Sequence, residues 1–359
     1  MSTASTAPPQ PTRQPVRLGI IGGGFMGRRH AEIAAGVIDA TVVGIADPYT
    51  KELAADLGVP HYLDHRDLLR SSEVDGVIIA NPNAAHVAAA LDCIDAGRPC
   101  LLEKPVALSR AEVQPLLEVV QAGGSAVLVG HHRRHHPSVQ AAREAIASGR
   151  LGNLVAVHGM WLSRKADQYF DVEWRRQPGA GVLMINAVHD LDILRHLCGD
   201  IVAVQAQLSS AIRELPVADT ASVSFEMANG ALGSYLCSDA AVSPWSWDLA
   251  TQDEPVFPFN PTSSCYFIAG TRSALTLPQM TRHYYPGAAD WNQPLSSTHE
   301  VTDTGDSFTR QLVHFVAVVR GEAEPLITVV DAASTIALLD AVRESAASGK
   351  RTVVMGVNG

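Results

Sequence analysis

The sequence predicts an α/β N-terminal domain, a doubly wound parallel sheet of Rossmann type, followed by an α+β domain with a mostly antiparallel sheet. Three observations carry this. Short apolar strands alternate with helical patterns over the first 136 residues. A glycine hexamer stands where the first strand meets the first helix, and past residue 150 hairpin signals replace the alternation.

Residues 1–15, MSTASTAPPQPTRQP, lack a continuous apolar stretch and read as a disordered tail rather than a signal peptide. VRLGIIGGG is a buried strand entering a glycine turn; TVVGIAD, VDGVIIANP, PCLLEKP and SAVLVGH are further strands. Between them run the helical patterns RRHAEIAAG, TKELAADLG, NAAHVAAALDCIDAG and SRAEVQPLLEVVQAGG. The last has Ser109 and Glu112 at capping-box spacing and ends at Gly123. Strands this apolar belong to a parallel sheet covered on both faces, so residues 16–136 form a dinucleotide-binding domain. Residues 137–359 form the expected second domain. There LVAVHGMWL, IVAVQAQLSS, ASVSFEMA and ALGSYLCS are strand-like, Asn229-Gly230 is a hairpin turn, and CYFIAG with ALTLP makes another near Gly270. FTRQLVHFVAVVRG and DAASTIALLDAVRESAASG close the chain as helices.

With 359 residues, the chain is longer than one core commonly serves. Its net charge of −10 argues against nucleic acid as a partner. No run approaches 18 apolar residues, so no membrane span is expected. The five cysteines are odd in number and form no CxxC pair, which predicts a reduced, cytoplasmic protein.

Gly22-Gly23-Gly24-Phe25-Met26-Gly27 fits GxGxxG between strand and helix. Gly22 makes the turn, Gly24 lets backbone approach a pyrophosphate, and Gly27 lets the helix pack on the strand. Asp47 ends the second strand, where a carboxylate accepts from a ribose diol and repels a 2′-phosphate. No arginine follows it in DPYTK, so NAD is favoured over NADP. Farther on, CLLEKPVALS ends an apolar strand in Glu103-Lys104-Pro105, although the chain has only four lysines. A strand of a doubly wound sheet ends at the ligand crevice, and a lysine there is placed for chemistry.

These residues resemble the glucose–fructose oxidoreductase, inositol dehydrogenase and MocA family. The resemblance rests on the fingerprint, Asn81-Pro82-Asn83 with His86, Glu103-Lys104-Pro105, VGHHRRHHP at 129–137, Trp174-Arg175, and GAGVLMINAVHDLD at 179–192. It implies that Lys104 lies against the oxygen of the reacting carbon, with Pro105 after a cis peptide bond. It places Glu103 and His132 near the nicotinamide, Asn81, Pro82, Asn83 and His86 on the cofactor loop, and Trp174 and Arg175 against the cofactor from the second domain. It also implies that residues 137–359 are a substrate-binding and oligomerisation domain with a large, open-faced sheet, through which a homodimer or homotetramer meets.

Asn186, His189 and Asp192 are spaced by three on a predicted helix and share a face. A lone helical histidine is often structural; the resemblance makes His189 the proton carrier beside Lys104. Family members commonly carry Asp four residues before this histidine, where this chain has Ile185. Asn186 and Asp192 are then candidates for substrate contact, with Trp161 and Arg164; Lys165 is a further cation that could meet an acidic group. HHRRHH at 131–136 invites a metal reading, but adjacent histidines on a strand diverge and no ligand-spaced partner follows, so no metal is expected. Trp245 and Trp247 alternate and would share one face of an extended chain, for a sugar or for a core.

The expected function is an NAD-dependent oxidoreductase acting on a secondary alcohol or ketone of a sugar, sugar acid or cyclitol. The rivals are a dehydrogenase of cyclic dihydrodiols and a non-catalytic NAD-binding sensor.

Overall fold

The computed structural model describes residues 14–356. Most of the expected tail, residues 1–13, lies outside the described residues, and Gln14 and Pro15 form no helix or strand. From Val16 the chain alternates strand and helix: β1 (Val16–Ile21), α1 (Phe25–Ala35), β2 (Ala40–Ala46), α2 (Glu52–Leu57), β3 (His61–Tyr62), α3 (His65–Leu69), β4 (Gly76–Ile79), α4 (His86–Asp95), β5 (Cys100–Leu102), α5 (Arg110–Gln121) and β6 (Val127–Val129). The six strands are all parallel, in the order β3-β2-β1-β4-β5-β6. That is the dinucleotide-binding order, whose crevice opens at the carboxyl ends of the strands where the order reverses beside β1.

Local chemistry sets the ends of these elements. Gly22 holds φ +101, and a Cβ there would lie 2.5 Å from the Ala80 carbonyl oxygen. A Cβ on Gly27 would meet the Gly22 oxygen at 1.9 Å, so the first turn closes only with glycine at both places. Ser109 accepts from the Glu112 N–H as expected, while the Glu112 carboxylate reaches past it to the Leu108 N–H.

Helix α6 (Pro137–Ala147) leads into a nine-stranded sheet built of β7 (Leu154–Leu162), β8 (Ile201–Ser209), β9 (Thr220–Met227), β10 (Leu232–Ser238), β11 (Tyr266–Gly270), β12 (Ser273–Leu277), β13 (Thr281–Tyr284), β14 (Ser296–His299) and β15 (Thr352–Val353). Its order is β14-β13-β12-β11-β7-β10-β9-β8-β15; β7 and β10 pair in parallel and the other pairs are antiparallel. Gly230 turns the β9–β10 hairpin with φ +86. On one face lie α7 (Val188–Cys198), preceded by a π-helical turn over Leu183–Ala187, and α10 (Val329–Ser348). The short α8 (Trp247–Ala250) follows β10, and α9 (Ser307–Val319) packs on α1 and on the turn at 132–135. The Val129 N–H donates to the Ile327 carbonyl, so the closing helices return to the first sheet and one hydrophobic core runs through both halves. No helix among the described residues is long and apolar enough to cross a membrane.

Candidate active site

The crevice brings three segments together: the end of β5, the turn at His132–His135, and α7 with its π-helical entry. Lys104 follows β5, and its bond to Pro105 is cis. Its ammonium makes no hydrogen bond or ion pair with any described residue. Burial lowers its pKa, opposed by the charges of Glu103, Asp248 and Glu254. His189, 7% exposed, is held well below the ordinary histidine value by burial, then by the charges of Lys104 and Arg133. Lys104 and His189 are therefore close enough for the charge of one to act on the other. The His132 ring stands edge-on to His189 at 5.1 Å and stacks on Phe308 at 3.9 Å. His189 Nδ1 is buried without a hydrogen-bond partner. Ile185, four residues before His189, offers no carboxylate.

Asn186 is buried, and its Oδ1 accepts from Lys165 Nζ at 2.7 Å. Lys165 was missed as a principal residue in favour of Arg164, and the structure reverses the two. Arg164 is exposed and reaches Asp167 at 3.3 Å, while Lys165 turns inward over the rings of Tyr169 and Trp161. Neighbours on an extended chain face opposite ways, and only the register of the strand end decides which faces in. Trp161 is 1% exposed and gives its indole N–H to Asp248, so it supports the floor rather than lining the opening. Trp247 is fully buried and Trp245 is 46% exposed, because α8 begins between them and ends the alternation.

Asp192 does not face the site. Its carboxylate takes both Arg134 Nε and Nη2, at 2.7 and 2.6 Å, and the Thr335 hydroxyl. Arg134 and the nearby His131 more than offset burial and leave this carboxyl well below the usual range. Arg134 also binds Asp331 of α10. The preceding Arg133 binds Asp190 of α7 and Asp248 of α8. Burial pushes Asp190 up to about 6 despite that partner and the Tyr235 hydroxyl. The histidines at 132 and 135 sit on a 3-10 turn, not on a strand, and each packs on another ring.

At the nucleotide end, α1 starts at Gly24 with no side-chain cap and no acid in its first turn, and a Cβ on Gly24 would meet nothing within 4 Å. Its first N–H groups are left for an anion. Asp47 Oδ2 accepts from the Gly23 N–H at 2.7 Å and Oδ1 from Tyr49 and Thr50, which fixes the carboxylate beside the turn. Asn81 Oδ1 is buried without a partner next to that turn, and Phe25, Met26, Pro82 and Asn83 keep exposed surface around it. These residues fit a dinucleotide. Two expected contacts are instead engaged within the protein: His86 is 1% exposed between the carbonyls of Pro105 and Asn81, and Glu103 takes His30 Nε2 at 2.7 Å. Trp174 is 52% exposed, and Arg175 lies over Tyr169 with Nη1 on its carbonyl. Glu254 gave no sequence signal. It stands close enough to act on Lys104, and burial raises its carboxyl to about 7.

The comparisons with known proteins agree with this architecture. Residues 16–131 match the NAD-binding Rossmann fold of the GFO/IDH/MocA oxidoreductase family, and residues 143–355 match that family's C-terminal alpha/beta domain. Inositol 2-dehydrogenase 1 of Saccharopolyspora erythraea is 33% identical over 189 residues, 51% of this chain and 54% of that protein. The rhizopine catabolism protein MocA of Rhizobium meliloti is 32% identical over 51% of this chain and 57% of its own. The matched stretch thus spans about half the length of these relatives. A levoglucosan dehydrogenase solved with NADH and levoglucosan superposes with a TM-score of 0.80 over 95% of this chain and 100% of that one, at 24% identity.

Asp47→Ala is expected to weaken NAD binding by about 10- to 100-fold and to narrow the preference over NADP, since a charge-assisted hydrogen bond contributes about 1.5–3 kcal/mol. Titration of both nucleotides into the wild type and the variant checks this; equal affinity of the wild type for NADP would contradict the role of Asp47. The chain belongs to the GFO/IDH/MocA oxidoreductase family.

Proposed function

We propose that the protein is an NAD-dependent oxidoreductase that interconverts a secondary alcohol and a ketone on a sugar, sugar acid or cyclitol. The observation that carries this is the unpartnered Lys104 ammonium beside the neutral His189 at the mouth of a dinucleotide crevice. Inositol 2-dehydrogenase and levoglucosan dehydrogenase among the relatives support the substrate class. Bound NAD would supply the hydride acceptor. Lys104 holds positive charge against the substrate oxygen as its proton leaves, which lowers the cost of the developing alkoxide. His189, kept neutral by its surroundings, takes that proton; Nδ1 is enclosed, which leaves Nε2 to meet the hydroxyl. Asn186 lies about one helical turn before His189 and, with Lys165 hydrogen-bonded to it, can hold a second substrate oxygen.

The missing carboxylate at position 185 and the unpartnered His189 Nδ1 favour one rival, a sensor that binds NAD without turnover. Five free, buried cysteines suit a reduced, cytoplasmic setting. The outer face of β7, β10, β11 and β12 carries Ala156, Leu232, Phe267 and Ala274 around a depression of about 590 Å³. A second copy covering it gives a homodimer or homotetramer, which sedimentation velocity reads directly.

Following reduced cofactor at neutral pH over a panel of polyols, cyclitols, sugar acids and dihydrodiols tests the reading. Lys104→Ala is expected to lower kcat by about 100- to 1,000-fold, in the range for loss of one oxyanion-stabilising group. Arg164→Ala, on the surface, is expected to match the wild type. NAD binding with no turnover of any substrate supports the sensor; turnover confined to dihydrodiols moves the substrate class.

A further inference from the structure

Two of the chain's four lysines line this crevice, and the second, Lys165, has no part in the hydride step. Its backbone is fixed on three sides. The Lys165 N–H donates to the Asp239 carbonyl at 2.9 Å, its carbonyl accepts from Arg213 Nη2 at 2.8 Å, and Ser163 donates to Ser238 at 3.1 Å. The side chain is 13% exposed, with its ammonium 4.7 Å from the Tyr169 ring centre and 5.4 Å from that of Trp161. One of its three donors reaches Asn186 Oδ1 at 2.7 Å.

The nearest carboxylate is Asp239, at 3.6 Å, and that carboxylate is already bound by Arg213 Nε at 2.7 Å. Two cations therefore share one buried anion. The other groups facing Lys165 are the Cys237 thiol of β10, pushed up by burial and so neutral, the Tyr169 ring, and Asp248 of α8. Asp248 is itself taken by Arg133 and the Trp161 indole. A largely buried ammonium with spare donors and a shared counter-ion is poorly satisfied by the protein alone.

Resting on the oxidoreductase reading above, we propose that Lys165, with Asn186, is the anchor for a carboxylate on the substrate, so that the preferred substrates are sugar acids rather than neutral polyols. The carboxylate binds at Lys165 while the secondary alcohol to be oxidised lies at Lys104 and His189. A carboxylate supplies the missing negative charge and occupies donors that a hydroxyl satisfies only in part.

Burial lowers Lys165 to about 8, with Asp239 opposing it. The anchor is thus charged below that pH and progressively neutral above it. Its grip on an acid weakens as pH rises, while its grip on a neutral sugar changes little.

The test uses matched probes, D-glucuronate with D-glucose and D-gluconate with D-sorbitol, in steady-state kinetics from pH 6.5 to 9.5. It adds calorimetric titration of each probe into the NADH complex. The acids are expected to show KM values at least tenfold below their neutral partners at pH 7. That advantage is expected to fall about tenfold per pH unit above about 8. Lys165→Arg is expected to abolish the alkaline fall, since a guanidinium stays charged. Lys165→Met is expected to raise KM for the acids by about 10- to 100-fold while kcat changes a few-fold at most. Turnover with no acid preference, or with a preference flat in pH, overturns the proposal and leaves the oxidoreductase standing; this arm needs only the wild type. Acid binding lost in Lys165→Met, without turnover of any probe, keeps the anchor and removes the oxidoreductase. Neither turnover nor acid binding removes both.

Discussion

Two consecutive arginines hold this crevice in shape. Arg133 and Arg134 follow β6 on one short turn, both almost fully buried, and they reach four carboxylates on three helices. Arg133 joins Asp190 of α7 to Asp248 of α8; Arg134 joins Asp192 of α7 to Asp331 of α10. Buried pairs of this kind add little net stability, since desolvation offsets the attraction, but removing one partner strands the other at about 3–5 kcal/mol. Their consequence is geometric: they tie α7, α8 and α10 to the turn after β6, and α7 carries His189 to where the Lys104 charge acts on it.

The same pairing sets the electrostatics. The clamp occupies Asp190, Asp192 and Asp248, and Glu103 is bound to His30, so the Lys104 ammonium has no direct partner among the described residues and burial lowers its pKa. Burial, followed by the charges of Lys104 and Arg133 and two other histidines, disfavours the charged form of His189 and keeps it neutral. Lys104 is placed to hold positive charge where alkoxide character would develop, and the neutral imidazole beside it offers an acceptor for the proton. The π-helical turn just before α7 belongs to the same arrangement, as it brings Asn186 to Lys165 while Ile185 stays partly exposed.

Much of this was legible in the sequence. Strand–helix alternation, the glycine hexamer and Asp47 fixed the first domain, because their spacing is dictated by local geometry. The rarity of lysine singled out Lys104. The orientation of single side chains was not legible. Arg164 and Lys165 are adjacent, and which faces in depends on the register of β7 against β10. Asp192 shares the spacing of Asn186 and His189, yet it turns to Arg134, 58 positions away in sequence. HHRRHH gave no sign that its arginines, rather than its histidines, organise the site; their partners come from helices scattered over the following 200 residues. Glu254 lies on a loop with no pattern, and only folding brings it near Lys104.

The central claim is that the Lys104 ammonium and the His189 imidazole share one enclosure. Nitrogen-15 NMR of the histidine side chains, titrated from pH 8 down to 5 in the wild type and in Lys104→Met, tests it most directly. The account predicts that the wild-type His189 resonance stays neutral through this range and that the variant shifts its titration to higher pH. Identical curves in the two proteins, or ordinary histidine titration in the wild type, would contradict it.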